Sequence, residues 1–304
     1  MRNRMVLLLA LAPLTGSPPA VRMEGEPKRI TVWLSQELPA YRAAVEGFRA
    51  YLESRGYSVA LSYKSLESPQ PAVRATGSPD LILAIGSPAA LAAGSAPVSS
   101  PVIALTMKRA ELRSTGAMTG VVLEFPVETE LGWIKRLFPR AKRIGVVYNP
   151  IENGVVIERA ASAARGLGLE LVARPVRSRD RLADVLASLQ NDAEVLWSVP
   201  DTLVLTPETA RSFLLFEFRQ RIPFIGLSET WVRAGALSAL GRDWDDLGRQ
   251  CGELAEQVFR GKDAGTLEPQ FPRRVLYFLN RNTAEVLRIE ISPEALKVAK
   301  EIAR

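Results

Sequence analysis

The sequence of 304 residues contains no histidine and only one cysteine, Cys251. Without histidine, no Ser-His-Asp or Cys-His catalytic arrangement can form, and no imidazole can bind a metal ion. A single cysteine can form neither an internal disulfide nor a thiolate zinc site. We therefore expect no metal site, and most familiar catalytic arrangements are excluded.

The glycine-rich motifs that hold phosphate groups are also missing. No G-x-G-x-x-G follows a strand, and no G-x-x-x-x-G-K-[ST] occurs, so we expect no cofactor. The 39 basic and 33 acidic residues give a formal charge of only +6. Four arginines cluster within residues 174–181 without interleaved aromatic residues. We interpret this cluster as a solvated edge and expect no nucleic-acid partner.

No apolar run reaches the ~20 residues that a membrane-spanning helix needs. The first run, residues 5–12, follows two arginines and is ended by Pro13, and small residues and prolines continue to Ala20. This order is typical of a secretory signal peptide, which we predict over residues 1–20. Ser17 stands where a lipoprotein would carry its lipidated cysteine. We therefore predict a periplasmic protein without a lipid anchor.

The remaining sequence alternates between buried strands and amphipathic helices, and it does so twice. The predicted strands are 30–34, 57–62, 80–85 and 101–105 in the first half, and 143–148, 169–173, 194–197 and 224–226 in the second. Such alternation predicts a parallel sheet with right-handed crossovers. The fold class is therefore α/β, with two Rossmann-like, doubly wound lobes, a hinge and a cleft between the lobes.

The segments outside this repeat determine the division into lobes. Residues 119–124 are strand-like and join the two halves, so they are a candidate hinge. A helix that begins after Asp243 carries Cys251 on its apolar face, so we expect that cysteine to be packed rather than nucleophilic. A strand over 275–279 and a terminal helix over 293–303 complete the chain. We assign residues 28–118 and 242–270 to lobe 1, and 119–241 and 271–304 to lobe 2.

Polar residues follow the predicted strands, at the edge where ligands of open parallel sheets bind. The candidate ligand-binding residues are Ser35, Gln36, Tyr41, Gly86, Ser87, Thr106, Asn149, Asn153, Asp201, Thr202, Ser228, Glu229 and Trp244. Some have a structural alternative: Ser87 could cap a helix, Asn149 could turn the chain, and Asp201 could brace its own loop. We expect Trp197, which lies within a strand, to be a core residue.

Several stretches resemble the ABC transporter substrate-binding protein family that includes tryptophan- and tyrosine-type uptake proteins. They are PDLILAIGSPAA (79–90), MTGV (118–121), KRIGVVYNP (142–150), VPDT (199–202), GAL (235–237) and LGRQ (247–250), with Asn280 and Ala284. The resemblance implies a type I periplasmic binding-protein fold. It also implies that the loop at Gly86 and Ser87 receives a ligand carboxylate and that Asp201 faces an ammonium group. The chain departs from the family pattern at Gly154, at Thr202 and in the Met-Lys-Arg segment 107–109.

These observations predict an exported solute-binding protein that closes its lobes around a small polar ligand, an amino acid or a similar molecule. We expect it to act as a monomer and to deliver the ligand to an ABC permease in the inner membrane. The alternative is a periplasmic sensing module that presents its ligand signal to a membrane receptor. An enzyme using Glu152 and Asp201 is a third hypothesis. Nothing in the sequence fixes these carboxylates at a catalytic separation, so we expect no enzyme.

Overall fold

The computed structural model describes residues 26–67, 78–97, 99–106, 108–113 and 118–301. The predicted signal peptide lies outside these residues. Within the described ranges, no helix combines the length and the apolar character needed to cross a membrane.

The first lobe contains a five-stranded parallel sheet covered on both faces. Its strands and helices are β1 (Lys28–Leu34), α1 (Pro39–Ser54), β2 (Val59–Ser65), β3 (Leu81–Ile85), α2 (Ser87–Ser95), β4 (Val102–Thr106), α3 (Arg109–Arg113) and β5 (Met118–Val122). The strand order is β2-β1-β3-β4-β5. Leu81 and Leu83 share a core with α1, whereas Ile82 and Ala84 pack against α2. Because successive side chains point to opposite faces, the buried strands are apolar throughout.

The chain then forms most of the second lobe. Its elements are α4 (Val127–Leu137), β6 (Arg143–Tyr148), α5 (Pro150–Gly166), β7 (Glu170–Pro175), α6 (Leu182–Ala187), β8 (Val195–Trp197), α7 (Pro207–Gln220), β9 (Phe224–Gly226), α8 (Glu229–Ala234) and β10 (Ser238–Arg242). Ile144 and Val146 pack in a core with α4 and α5, and Val147 packs in another with α6 and α7. This lobe therefore repeats the two-faced arrangement of the first.

Helix α9 (Trp244–Phe259) returns to the first lobe and packs along α1. The two helices meet through their backbones: a Cβ atom at Gly47 would lie 2.1 Å from the Asp245 carbonyl oxygen, and one at Gly248 would lie 1.9 Å from the Ala44 carbonyl oxygen. Only glycine fits such a contact. Cys251 is buried in the same core, and burial raises the pKa of its thiol to about 12, as expected for a packed cysteine.

The last segment returns to the second lobe and completes its sheet. It contains β11 (Val275–Leu279), α10 (Arg281–Leu287), α11 (Pro293–Val298) and β12 (Ala299–Glu301). The order is β12-β11-β10-β9-β8-β6-β7. Strands β10 and β11 pair antiparallel, whereas the other recorded pairings are parallel.

Three sequence-based boundaries need correction. The smallest change is at Arg242, which the sequence-based division assigns to lobe 1 but which pairs with Val275 in the second sheet. The helix predicted over 293–303 ends at Val298, because the chain becomes extended at Ala299 and pairs with the edge of β11. The division into lobes after residue 118 falls inside β5, which pairs with β4 along its whole length. Residues 119–122 therefore belong to the first sheet.

We predict that Gly248→Ala destabilises the first lobe. The added methyl group would push the α1 and α9 backbones apart, and overpacking of this kind costs about 1–3 kcal/mol. Urea unfolding followed by tryptophan fluorescence measures the change in the free energy of unfolding. Gly132→Ala in α4 is the control, because a Cβ atom there meets nothing within 4 Å and alanine should stabilise the helix by about 0.5–1 kcal/mol. Equal effects of the two substitutions would contradict the backbone contact.

A buried carboxyl group joins three elements of the second lobe. Glu217 of α7 accepts hydrogen bonds through Oε1 from the backbone N–H of Phe224 (2.8 Å) and of Leu237 (3.1 Å). Its Oε2 atom is buried and has no partner in the described part of the chain. Burial raises the pKa of Glu217 to about 8 and outweighs the two backbone hydrogen bonds, which lower the pKa. The folded protein therefore holds this carboxyl group protonated near neutral pH.

We predict that this proton makes stability fall as pH rises. An unfolded glutamate releases its proton near pH 4.3, whereas folded Glu217 retains it up to about pH 8. Between these two pH values, the free energy of unfolding falls by up to about 1.4 kcal/mol for each pH unit, because the folded state holds a proton that the unfolded state has released. Glu217→Gln keeps an acceptor oxygen and should remove this contribution, which thermal unfolding at pH 5 to 8 would show. Glu158→Gln on the exposed face of α5 is the control and should keep the wild-type profile.

Candidate functional site

The two lobes are connected by three chain crossings, which hydrogen bonds at the strand ends hold side by side. The crossings follow β5, follow β10 and precede β11. Arg242 Nε donates to the Leu123 carbonyl oxygen at 2.6 Å. The Val122 N–H donates to the carbonyl oxygen of Gln270, and the Gln270 N–H donates to that of Gly120, both at 2.9 Å. The crossings thus form one hinge beside the cleft.

An ion-pair cluster fastens the third crossing to α9. Arg273 donates from Nε and Nη2 to the Asp246 carboxylate (3.0 and 2.9 Å) and from Nη1 to Glu253 (2.7 Å). The hydrogen bonds to Asp246 are the main reason that the pKa of Arg273 is raised above its ordinary value. The hinge is therefore held to the first lobe by charge as well as by backbone hydrogen bonds.

Four predicted residues, Ser35, Tyr41, Gly86 and Trp244, lie close together in the first lobe. Gly86 has φ +95°, and a Cβ atom there would lie 2.4 Å from Ser35 Oγ and 3.0 Å from the Tyr41 hydroxyl. Ser35 Oγ accepts from the Ala89 N–H (2.9 Å) and so caps the first turn of α2. The Tyr41 and Trp244 rings lie 5.7 Å apart. The predicted Gln36 is exposed beside them.

A carboxylate of the chain itself occupies the Ser87 loop. Ser87 Oγ donates to Glu111 Oε2 at 2.7 Å, and the Thr106 hydroxyl donates to the same oxygen. The Lys108 N–H also points to it, at 3.5 Å. Ser87 is the first residue of α2, and the N-cap position before it is Gly86. The position that the family resemblance gives to a ligand carboxylate is therefore held by Glu111 in this conformation.

Asp201 is fully engaged within the second lobe. It is 5% exposed, and its Oδ2 accepts from the Asn149 N–H (2.7 Å) and from Asn153 Nδ2 (2.8 Å). Its Oδ1 accepts from the N–H groups of Leu203 (3.0 Å) and Val204 (2.9 Å). These hydrogen bonds brace the loop after β8 and position Asn153. The structure thus displays the loop-bracing alternative for Asp201, while Asn149 caps α5 through the Ile151 N–H (3.1 Å).

One ion pair joins the lobes across the cleft. Lys108, which follows β4, lies 2.7 Å from Glu152 Oε1 in the first turn of α5. Glu152 Oε2 also accepts from the N–H (2.9 Å) and the hydroxyl (2.8 Å) of Thr202. Burial alone would raise the pKa of Glu152, but the hydrogen bonds from Lys108 and Thr202 outweigh burial and lower it. Glu152 is therefore an ionised bridge between lobes.

Next to this bridge lies a cavity of about 250 Å³. Its apolar wall includes Phe125, Val127, Val156, Trp197, Ile225 and Leu240, and its polar lining includes Asn153, Glu124, Glu130 and Arg242. Of the predicted contact residues, Asn153 lines this cavity. Ser228, Glu229 and Trp244 instead line a neighbouring cavity of about 600 Å³, which shares Arg242 with the first. Four of the predicted residues therefore line these two cavities, and they do so in two separate places.

The charged groups of the first cavity lie in apolar surroundings. Glu130 Oε2 accepts from Trp197 Nε1 at 2.7 Å, and burial raises the pKa of Glu130 to about 7. The Arg242 guanidinium lies 5.0 Å from the centre of the Phe125 ring, and burial lowers its pKa. Burial likewise raises the pKa of Glu124. A small apolar cavity therefore contains both acidic and basic groups.

These cavity residues are absent from the sequence-based set. Trp197 is 1% exposed, as expected for a core residue, yet its indole N–H donates a hydrogen bond to Glu130 in the cavity lining. Glu130 lies on α4 rather than in a loop after a strand. Its spacing in the sequence could have indicated that Glu130 faces inward. Val127, Leu131 and Ile134 are buried, and Glu130 falls on the same helical face.

Two α/β lobes, three crossings and a cleft with mixed apolar and charged walls define a bilobal ligand-binding protein with the type I periplasmic binding-protein fold. The chain belongs to the ABC transporter substrate binding protein family, whose sequence model matches residues 29–303. The family, the fold class and the assignment as a binding protein rather than an enzyme are thereby confirmed.

Individual relatives agree with this assignment. The chain is 27% identical over 297 residues to a tyrosine-binding protein of Clostridioides difficile (strain R20291). The aligned region covers 90% of this chain and 85% of the relative. The ligand-free, open structure of a substrate-binding protein with adhesive properties from Clostridium difficile is 22% identical (TM-score 0.74, 90% and 99% covered). The ABC domain in complex with L-Trp from Streptococcus pneumonia is 22% identical (TM-score 0.62, 90% and 100% covered).

We predict that Lys108→Met shifts the ligand-free protein toward a more open arrangement. The substitution removes the ion pair between the lobes, and a partly exposed pair contributes about 1 kcal/mol, or roughly a fivefold change in population. Small-angle X-ray scattering should show a larger radius of gyration. Arg159→Met is the matched control, because it breaks the Arg159–Glu128 pair within the second lobe. A radius unchanged from wild type in the Lys108 variant would contradict the bridging role.

Proposed function

We propose that the protein is the exported solute-binding component of an ABC importer and binds an amino acid or an amino-acid-like molecule in the cleft. The observation that carries this proposal is the cavity of about 250 Å³ in which apolar side chains surround a few acidic and basic groups. Apolar walls with a small number of placed polar groups are typical of small-molecule sites. A zwitterion with an apolar side chain matches this lining.

The relatives support the same ligand class. One is named as a tyrosine-binding protein, and one solved relative holds L-Trp. Both ligands combine a zwitterionic end with a large apolar side chain. In this chain Arg242 is the basic group that would face a carboxylate, and Trp197 and Phe125 supply aromatic walls.

Lobe closure follows from the hinge. A ligand that contacts residues of both lobes only in the closed state stabilises that state by its differential affinity. Closure about hydrogen-bonded crossings is a hinge motion, and the Lys108–Glu152 pair would add to the closed state. The predicted contact residues around the cleft, among them Tyr41, Asn153 and Trp244, would then meet the ligand from opposite sides. Asp201 would act by positioning Asn153.

The protein would act as a monomer in the periplasm, with an ABC permease in the inner membrane as its partner. The signal-like residues 1–20 and the family assignment support export and transport.

Calorimetry with a panel of amino acids tests the proposal directly. We expect binding of at least one member with a large apolar side chain, and a smaller radius of gyration in its presence. The far-UV circular dichroism spectrum verifies that the protein is folded. A folded protein that binds no amino acid would refute the amino-acid version of the proposal.

A further inference from the structure

Glu130 lines the cavity with one carboxylate oxygen unused. Its Oε2 accepts one hydrogen bond, from Trp197 Nε1 at 2.7 Å. Within the described ranges of the chain, no cation forms an ion pair with it and Oε1 has no partner. Oε1 is also absent from the buried atoms without partners, so it keeps accessible surface where Glu130 lines the cavity.

Three neighbouring carboxylates are already committed, whereas Glu124, which also lines the cavity, accepts the Arg109 N–H at 3.4 Å. Asp201 accepts from the backbone N–H groups of Asn149, Leu203 and Val204 and from the Asn153 side chain. Glu152 pairs with Lys108, and Glu111 is bound by the Ser87 and Thr106 hydroxyls. A cationic group entering the cleft would have to displace an existing partner at each of these positions. At Glu130 it would displace none.

The surroundings of Glu130 leave its charge poorly compensated. The groups that face it are the Trp197 indole on β8, Arg242 on β10 and Glu124 in the crossing before α4. Arg242 directs its Nε to the Leu123 carbonyl oxygen and lies against the Phe125 ring. Burial dominates and raises the pKa of Glu130 to about 7. A cation brought by a ligand would favour the ionised form.

We infer that Glu130 receives the positively charged group of the ligand, so that the cavity selects organic cations with an apolar body, of which primary amines are the simplest. This inference rests on the proposed function and adds the residue and the ligand group that determine specificity. Its alternative is that Glu130 is a protonated core residue whose one role is to accept the Trp197 N–H.

The test measures calorimetric affinity for tyramine, tryptamine and phenethylamine, with 3-(4-hydroxyphenyl)propionic acid as the analogue without an amine. We expect the amines to bind the wild-type protein and Glu130→Gln to weaken that binding at least tenfold. Glu128→Gln is the matched control, because Glu128 lies on the same helix in an exposed pair with Arg159. It should leave the affinity unchanged, and Glu130→Asp should restore part of it.

The pH dependence separates recognition from a structural role. These amines keep their charge between about pH 5.5 and pH 8. Wild-type affinity should therefore fall as pH drops below about 7, by up to tenfold per pH unit, while Glu130→Gln shows no such change. Trp197→Phe removes a hydrogen bond that lowers the pKa of Glu130, so the midpoint of the profile should move to higher pH.

The outcomes distinguish this inference from the proposed function. Binding of amino acids without binding of any amine, or equal amine affinities in wild type and a folded Glu130→Gln, would overturn the inference and leave the proposed function standing. Failure of amino acids and amines alike would overturn both. Strong binding of the analogue without an amine, with the same affinity as tyramine, would also overturn the inference.

Discussion

The direct backbone contact between α1 and α9 is the constraint on which the two-lobed structure depends. Helix α9 comes after most of the second lobe in the chain, yet Gly47 and Gly248 fix it against the first lobe. The chain must therefore cross back to the first lobe after β10, and the pairing of β11 with β10 in the second sheet requires a third crossing. The end of β5 hydrogen-bonds to Gln270 in the third crossing, and Leu123 in the first crossing accepts from Arg242 at the end of β10, so the crossings lie side by side. A hinge with a cleft beside it follows from that packing.

Most of the fold was predictable because both sheets are covered on both faces. A strand such as β3 is then apolar at every position and stands out from the amphipathic helices around it. Because all buried strands share this apolar pattern, the sequence does not show which of the two sheets a strand joins. Residues 119–122 have the pattern of any buried strand, and only their pairing with β4 assigns them to the first lobe. The three residues of β12 are too few for a pattern, and their conformation depends on the edge that β11 offers.

The site was predictable to the extent that strand ends determine it. Ser35, Gly86 and Tyr41 do meet, and Asn149, Asn153 and Asp201 do form one cluster. The local sequence cannot show which polar groups already form hydrogen bonds with other residues of the protein. Asp201 resembles a ligand contact by position, but four donors from its own lobe satisfy it. Glu130 lies on a helix face, whereas the site prediction considered only polar residues that follow the predicted strands.

Seen together, the acidic groups of the cleft divide by what their surroundings supply. Backbone N–H groups, hydroxyls or a lysine hold Asp201, Glu152 and Glu111 in place, whereas Glu130 has one indole N–H and an apolar wall, and Glu124 has one backbone N–H at 3.4 Å. A buried polar group without a sufficient partner is costly, and a ligand that supplies the partner removes that cost on binding. A neutral molecule of the same shape would fill the cavity but leave the carboxyl group uncompensated. Discrimination of this kind is strongest where a buried group of the protein needs the ligand to complete its hydrogen bonds. The incomplete environment of Glu130 is therefore a physical basis for selectivity, and the apolar walls around it are what make that selectivity strong.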